Sequence, residues 1–150
     1  MGIRYLHTNI IAKDWRALVT FYTEVFGCEL VQPKGEPADE WTDGQTGISG
    51  LSMTGARLKL PGSDAMLEIL SCEPEGLDSW RPVNRPGLGH LAFYVDDIEQ
   101  VLADITAHGG QQVSEVVRHT ANGAGTLVTV YACDPEGNGL ELHNWNNKKL

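Results

Sequence analysis

The chain has 150 residues, with 11 Lys and Arg against 20 Asp and Glu, a formal charge of −9 and 41% hydrophobic residues. That length suits one ordinary domain and that composition a globular one, and no apolar run approaches the ~20 residues of a membrane span. The acidic balance repels phosphate backbones and anionic lipid surfaces, so neither nucleic acid nor membrane is an expected partner.

Ile3 to Ile11 is apolar and β-prone. Lys13-Asp14-Trp15 then opens a segment whose apolar positions, Leu18, Phe21, Tyr22, Val25 and Phe26, have helical spacing. Asp14 is the expected cap and Gly27 the expected stop. Strand candidates follow at Glu29 to Gln32, Arg57 to Leu60 and Met66 to Cys72. The Gly/Pro-rich stretch Pro33 to Gly55 between them reads as a long connection, and its Trp41 to Met53 portion as a candidate lid that excludes water.

A second series begins at Gly89-His90-Leu91-Ala92-Phe93-Tyr94-Val95. Asp96-Asp97 comes next, then a helical pattern through Ile98, Val101, Leu102 and Ile105 to Gly109-Gly110. Strand candidates Gln112 to Val117, Thr126 to Cys133 and Gly139 to Asn144 complete it. His7 and His90, Asp14 and Asp97, Leu18 and Val101, and Gly27 and Gly110 are each 83 positions apart. Glu68 and Glu141 are 73 apart, which puts the extra length in the first half, in Pro33 to Gly55. The chain therefore reads as two βαβββ repeats, about 3–72 and 87–145, within a single domain of α+β class.

Cys28, Cys72 and Cys133 form no C-x-x-C pair and are odd in number, as expected of reduced thiols serving as small core hydrophobes. Reduced thiols point to a cytoplasmic location, and Met1 to His7 does not read as a signal peptide.

His7, Glu68, His90 and Glu141 lie within the strand candidates, each among apolar neighbours. A carboxylate on a half-buried strand faces water or is compensated by a partner or a metal ion. Alternation points Glu68 away from Leu67 and Ile69, and Glu141 away from Leu140 and Leu142. Repeat halves related by an approximate two-fold bring equivalent positions together, so two His and two Glu gather about one point. That donor set suits a borderline divalent ion with a coordination position left for substrate. Taken singly, each of the four also reads as an ordinary strand residue on a wet face.

The motifs Leu6-His7-Thr8-Asn9-Ile10, Phe21-Tyr22-Thr23-Glu24-Val25-Phe26-Gly27, Gly89 to Asp97 and Asp134-Pro135-Glu136-Gly137-Asn138-Gly139-Leu140-Glu141-Leu142 carry a resemblance. Over nearly its whole length the chain resembles the vicinal oxygen chelate superfamily, which includes glyoxalase I, methylmalonyl-CoA epimerase, extradiol dioxygenases and the fosfomycin and bleomycin resistance proteins. The resemblance implies paired βαβββ modules forming a cup-shaped mixed sheet around a metal site, and a homodimer. His7, Glu68, His90 and Glu141 match the metal-ligand positions of glyoxalase I, so the implied cofactor is a divalent ion, Zn, Ni, Co or Mn.

The implied activity is a glyoxalase-like lyase or isomerase acting on a small carbonyl or thioester substrate through a metal-stabilised enediolate. Glu141 is the first choice of base and Glu68 the second. Ile11 and Cys72 stand where glutathione-using glyoxalases often have Arg and Asn, so anionic groups fall to other cations, with Arg57, Lys59, Arg81 and Arg85 as candidates that read more simply as solvated surface charge. His143, two residues after Glu141 and on the same face, reads either as an orienter or proton shuttle for it or, more simply, as a strand-end residue outside the main site, while Asn9 and Tyr94, on the His7 and His90 faces, are candidates to line the pocket. Two rival readings remain: a metal-free drug- or metabolite-binding protein of the bleomycin resistance kind, and an extradiol-type dioxygenase.

Overall fold

The computed structural model describes residues 2–78, 82, 84–121 and 125–145. The chain divides into two compact units, 1–78 and 79–150. Both are α+β, and both arrange their strands in one order.

In the first unit, β1 (His7–Ile11) leads to α1 (Trp15–Phe26), β2 (Glu29–Glu36), α2 (Glu40–Thr46), β3 (Ser52–Lys59) and β4 (Met66–Glu73). The sheet order is β1-β4-β3-β2, with β1 parallel to β4 and the other neighbours antiparallel. Asp14 caps α1 by accepting from the Ala17 N–H at 3.1 Å, and Gly27 ends it at φ 68°, a left-handed conformation that costs a residue without Cβ little. The buried face of α1, Leu18, Phe21, Tyr22 and Phe26, belongs to a core that also takes Ala56, Leu58, Leu67 and Ile69 from β3 and β4. Phe21 meets Tyr22 edge-on at 5.2 Å, and Tyr22 stacks on Phe26 at 6.0 Å.

The second unit repeats this plan with β5 (His90–Tyr94), α3 (Ile98–Ala107), β6 (Gln111–Gln112), β7 (Val117–Ala121), β8 (Gly125–Cys133) and β9 (Gly139–Trp145). Its order is β5-β9-β8-β6, with β7 also on β8 and the β5/β9 pair parallel. Asp97 caps α3 by accepting from the Gln100 N–H at 2.9 Å. Ile98, Leu102 and Ile105 bury its inner face in a core with Val128, Val130, Leu140 and Leu142.

Three sequence expectations need correction. The stretch Pro33 to Gly55 is not one long connection. Strand β2 continues to Glu36, α2 occupies residues 40–46, and β3 begins at Ser52. Pro33 passes unnoticed because β2 is an edge strand, where a missing N–H costs the ladder little. The Trp41 to Met53 segment is accordingly mostly helix and strand, with Trp41 63% exposed.

The expected strand Gln112 to Val117 is broken into β6 and β7. The N–H groups of Val113 and Ser114 both turn to the Tyr131 carbonyl, at 2.8 and 3.1 Å, and the Ser114 hydroxyl accepts from Tyr131 N–H, which bulges the edge. The pairing of Gly27 with Gly110 also fails as a pairing of helix stops. Helix α3 ends at Ala107 with His108 as its C-cap, and Gly109 is the left-handed residue, at φ 90°. Gly110 answers a steric need instead, because a Cβ there would lie 2.5 Å from the Cys133 carbonyl oxygen.

The cysteines are free. Cys28 is a core residue as expected, whereas Cys72 and Cys133 are half-buried at strand positions. Among the described residues, no helix is long and apolar enough to cross a membrane.

Candidate functional site

The four singled-out donors occur as two pairs, one in each unit. His7 on β1 stands opposite Met66 of the parallel strand β4, and Glu68 lies two residues further along β4. His90 on β5 stands opposite Gly139 of β9, and Glu141 again lies two residues further along. Residues two apart share a sheet face, so each pair projects from one face along the same diagonal. His7 Nε2 is 3.9 Å from Glu68 Oε1, and His90 Nε2 is 2.8 Å from Glu141 Oε2.

The companions of the two glutamates differ. Glu68 is buried at 5% exposure and is surrounded by cations. Arg57 Nη2 lies 3.2 Å and Lys34 Nζ 3.7 Å from its Oε2, while Asn9 Nδ2 donates to its Oε1 at 3.4 Å. Arg57 is the register partner of Glu68 on β3. Lys34 comes from β2, beyond β3, where its own register partner is Gly55. Glycine is obligatory at 55, because a Cβ would sit 1.8 Å from the Ile69 carbonyl oxygen. Lys34 pairs as well with Glu36 at 3.4 Å.

Glu141 is held by neutral or titratable groups. His143 Nε2 lies 2.6 Å from Oε1, and the Thr129 hydroxyl donates to the same oxygen at 3.2 Å. The His90 ring meets Tyr131 edge-on, 5.3 Å between centroids. Burial pushes the Glu141 carboxyl up, but the hydrogen bond and charge of His143, with His90 and Thr129, outweigh it and hold the group below the ordinary carboxylate value. Because His90 and His143 approach opposite oxygens, the three do not share one point. Among the described residues, no group of three or more His, Cys, Asp or Glu is arranged about a single ion.

Sequence reasoning undervalued three residues. His143 is a direct partner of Glu141 and not a bystander at a strand end; the signal was its spacing of two from Glu141 on one strand. Arg57 is not a solvated surface charge but an ion-pair partner of Glu68, with a side chain 25% exposed. Lys34 was missed entirely, because contact across an intervening strand leaves no local pattern. Asn9 donates to Glu68, whereas the Tyr94 hydroxyl is taken up by the backbone of Trp145. Lys59 lines a cavity of about 700 Å³ with Arg4, Tyr5 and Met66. Arg85 is exposed, and Arg81 lies outside the described residues.

The loop entering β9 explains why Glu141 is so placed. Asp134, 1% exposed, accepts from the N–H groups of Glu136 and Asn138 and from the Asn138 side chain at 2.9 to 3.0 Å. This closed turn fixes the register in which β9 enters beside β5 and β8. A second cavity, about 250 Å³, is lined by Asp97, Ile98, Arg118, Val128 and Asn144. Val128 and Asn144 alternate with Thr129 and His143, so this cavity lies on the sheet face opposite Glu141.

Two α+β units, each carrying a His–Glu diagonal across its parallel strand pair, define the class of fold. The chain belongs to the Glyoxalase/Bleomycin resistance protein/Dioxygenase superfamily, whose family model matches residues 4–142. It is 30% identical over 146 residues to a probable lactoylglutathione lyase of Synechocystis, covering 96% of this chain and 97% of that one. A glyoxalase family protein of Bacillus cereus shares its fold, with a TM-score of 0.83, 23% identity and coverage of 95% and 94% of the two chains. The fosfomycin resistance protein FosX of Listeria monocytogenes, solved with Mn(II) and sulfate, matches at a TM-score of 0.56 and 16% identity, covering 97% of this chain and 93% of its own.

Proposed function

We propose that this chain is a divalent-metal-dependent lyase or isomerase of the glyoxalase type, acting on a small carbonyl or thioester substrate. The observation that carries the reading is the His–Glu diagonal, made twice in the same register by His7 with Glu68 and by His90 with Glu141. The donor chemistry fits a metal ion. Two ligands of one ion stand about 3.0–3.4 Å apart when metal–ligand bonds are near 2.1 Å, and the two observed N–O separations, 3.9 and 2.8 Å, bracket that spacing. His7, Glu68, His90 and Glu141 would hold the ion, whether drawn from one chain or from two copies in a homodimer. A bound Zn, Ni, Co or Mn ion supplies a Lewis acid for the substrate carbonyl.

The protein's own contribution centres on Glu141. His143 and Thr129 fix its Oε1, which leaves Oε2, the atom facing His90, to take the proton alpha to the carbonyl and return it to the neighbouring carbon. Glu68 is the weaker choice of base, because both of its oxygens are already engaged, Oε2 by Arg57 and Lys34 and Oε1 by Asn9.

Metal analysis of purified protein, followed by assay of the metal-loaded protein against methylglyoxal–thiol adducts and acyl-CoA epimers, tests the reading. One non-iron ion per site with turnover of either substrate class supports it. Iron with oxygen consumption would replace it with the ring-cleaving dioxygenase. Failure to retain any divalent ion would favour the metal-free binding protein, a reading to which the existing neutralisation of Glu68 by Arg57 and Lys34 lends support.

A further inference from the structure

We infer that Arg57 and Lys34 form a subsite for a carboxylate group of the substrate, so that the carbonyl compound this protein takes carries its own negative charge. The inference deepens the proposed function and rests on it.

In a chain with 11 cationic residues among 150, two cations converge on one point of one sheet face. Arg57 Nη2 and Lys34 Nζ both approach the same oxygen, Oε2 of Glu68, at 3.2 and 3.7 Å. Their side chains are 25% and 22% exposed, open enough to be reached and covered enough for a charge to matter. The register brings them together, since Lys34 pairs with Gly55, two residues from Arg57, which is itself the register partner of Glu68. What the two cations hold here is a carboxylate oxygen, which names the ligand chemistry.

The charge balance gives the clamp a second partner. Lys34, Arg57, Glu36 and Glu68 together are neutral. A divalent ion held by His7 and Glu68, with Glu141 as a further ligand, would leave the group net positive and compete with the two cations for Glu68. An anion is then the favoured occupant beside Arg57 and Lys34. The substrate's carboxylate takes over the place of Glu68 Oε2, and metal and anionic substrate bind with positive coupling. No new bond forms in this step; one ion pair replaces another.

The test is isothermal titration of the full chain with pyruvate and with its neutral ester methyl pyruvate, on Ni-loaded and metal-free protein, with metal content measured on each sample. Pyruvate should bind the loaded wild type at least tenfold more tightly than either Arg57→Met or Lys34→Met, and the metal-free protein more weakly than the loaded one. Methyl pyruvate should not distinguish wild type from variants. Arg57→Lys should recover part of the affinity. Should Arg57→Met fail to fold, Lys34→Met and Arg57→Lys carry the comparison. Pyruvate affinity within twofold of wild type in the Met variants overturns the subsite while leaving the metal reading intact. A chain that takes up no nickel but still binds pyruvate through Arg57 and Lys34 overturns the metal reading and keeps the subsite. Loss of both overturns both.

Discussion

His90 Nε2 and Glu141 Oε2 face each other at 2.8 Å across parallel strands, and the other oxygen of the same carboxylate is held by His143 Nε2 at 2.6 Å. Glu141 is thus gripped from both sides by imidazoles. The equivalent glutamate in the first unit, Glu68, is gripped by an arginine and a lysine. The two units share the diagonal and differ in its surroundings, and the two carboxylates are chemically unlike.

That difference separates their roles under substitution. Glu141→Gln keeps an oxygen donor but removes the proton acceptor, so turnover should fall by about 10²–10⁴-fold while metal content, read by elemental analysis, stays near wild type. Equal loss of metal and activity would make Glu141 a ligand alone. Glu68→Gln should lower metal content more than it lowers the turnover of each loaded site.

His143 acts through Glu141 as a positioning residue. Replacing it with Ala leaves Oε1 held by Thr129 alone and should reduce kcat by about 10–100-fold with little change in KM, and His143→Gln should restore part of the loss by supplying a donor again. An unchanged kcat would relegate the 2.6 Å contact to structure.

Gly55→Ala probes the close approach of β3 and β4. The added Cβ would lie 1.8 Å from the Ile69 carbonyl oxygen, and the obstacle is backbone that cannot swing aside. Destabilisation of about 3 kcal/mol is expected, measurable by urea denaturation with circular dichroism detection.

Cys28 makes a pH prediction. Burial pushes its thiol from 9.0 up to about 11. Below pH 9 the thiol is protonated in folded and unfolded chains alike. As pH climbs from 9 towards 11 the unfolded chain releases the proton and the folded chain keeps it, so stability drops by about 1.4 kcal/mol per unit, about 2–3 kcal/mol in all. Cys28→Ala should lose this alkaline decline, as unfolding curves at pH 8 and pH 11 for both proteins would reveal.

Much of the frame was legible because it is written locally. Asp14 with Gly27, and Asp97 with the periodic Ile98, Leu102 and Ile105, announce helices through capping chemistry and spacing alone. The alternation of Leu140, Glu141 and Leu142 announces a strand with one wet face. Helix α2 was illegible because Glu40 to Thr46 has no apolar stripe and contains a glycine. The break between β6 and β7 was hidden because it depends on the Tyr131 carbonyl, nearly twenty residues away. Of the site, the His–Glu repetition was readable from the spacing of like residues. The Lys34–Arg57 clamp was not, since it is created by sheet register across three strands.

The parallel seams β1/β4 and β5/β9 join the opening strand of each unit to its final one. A polypeptide still being synthesised cannot assemble the first pair of donors until Glu68 has been made and its strand has docked. Premature termination or proteolytic clipping inside a unit likewise leaves only scattered histidines and carboxylates. Chemical competence is in this way tied to conformational completion, and a fragment has no half-built reactive centre to expose to the cell.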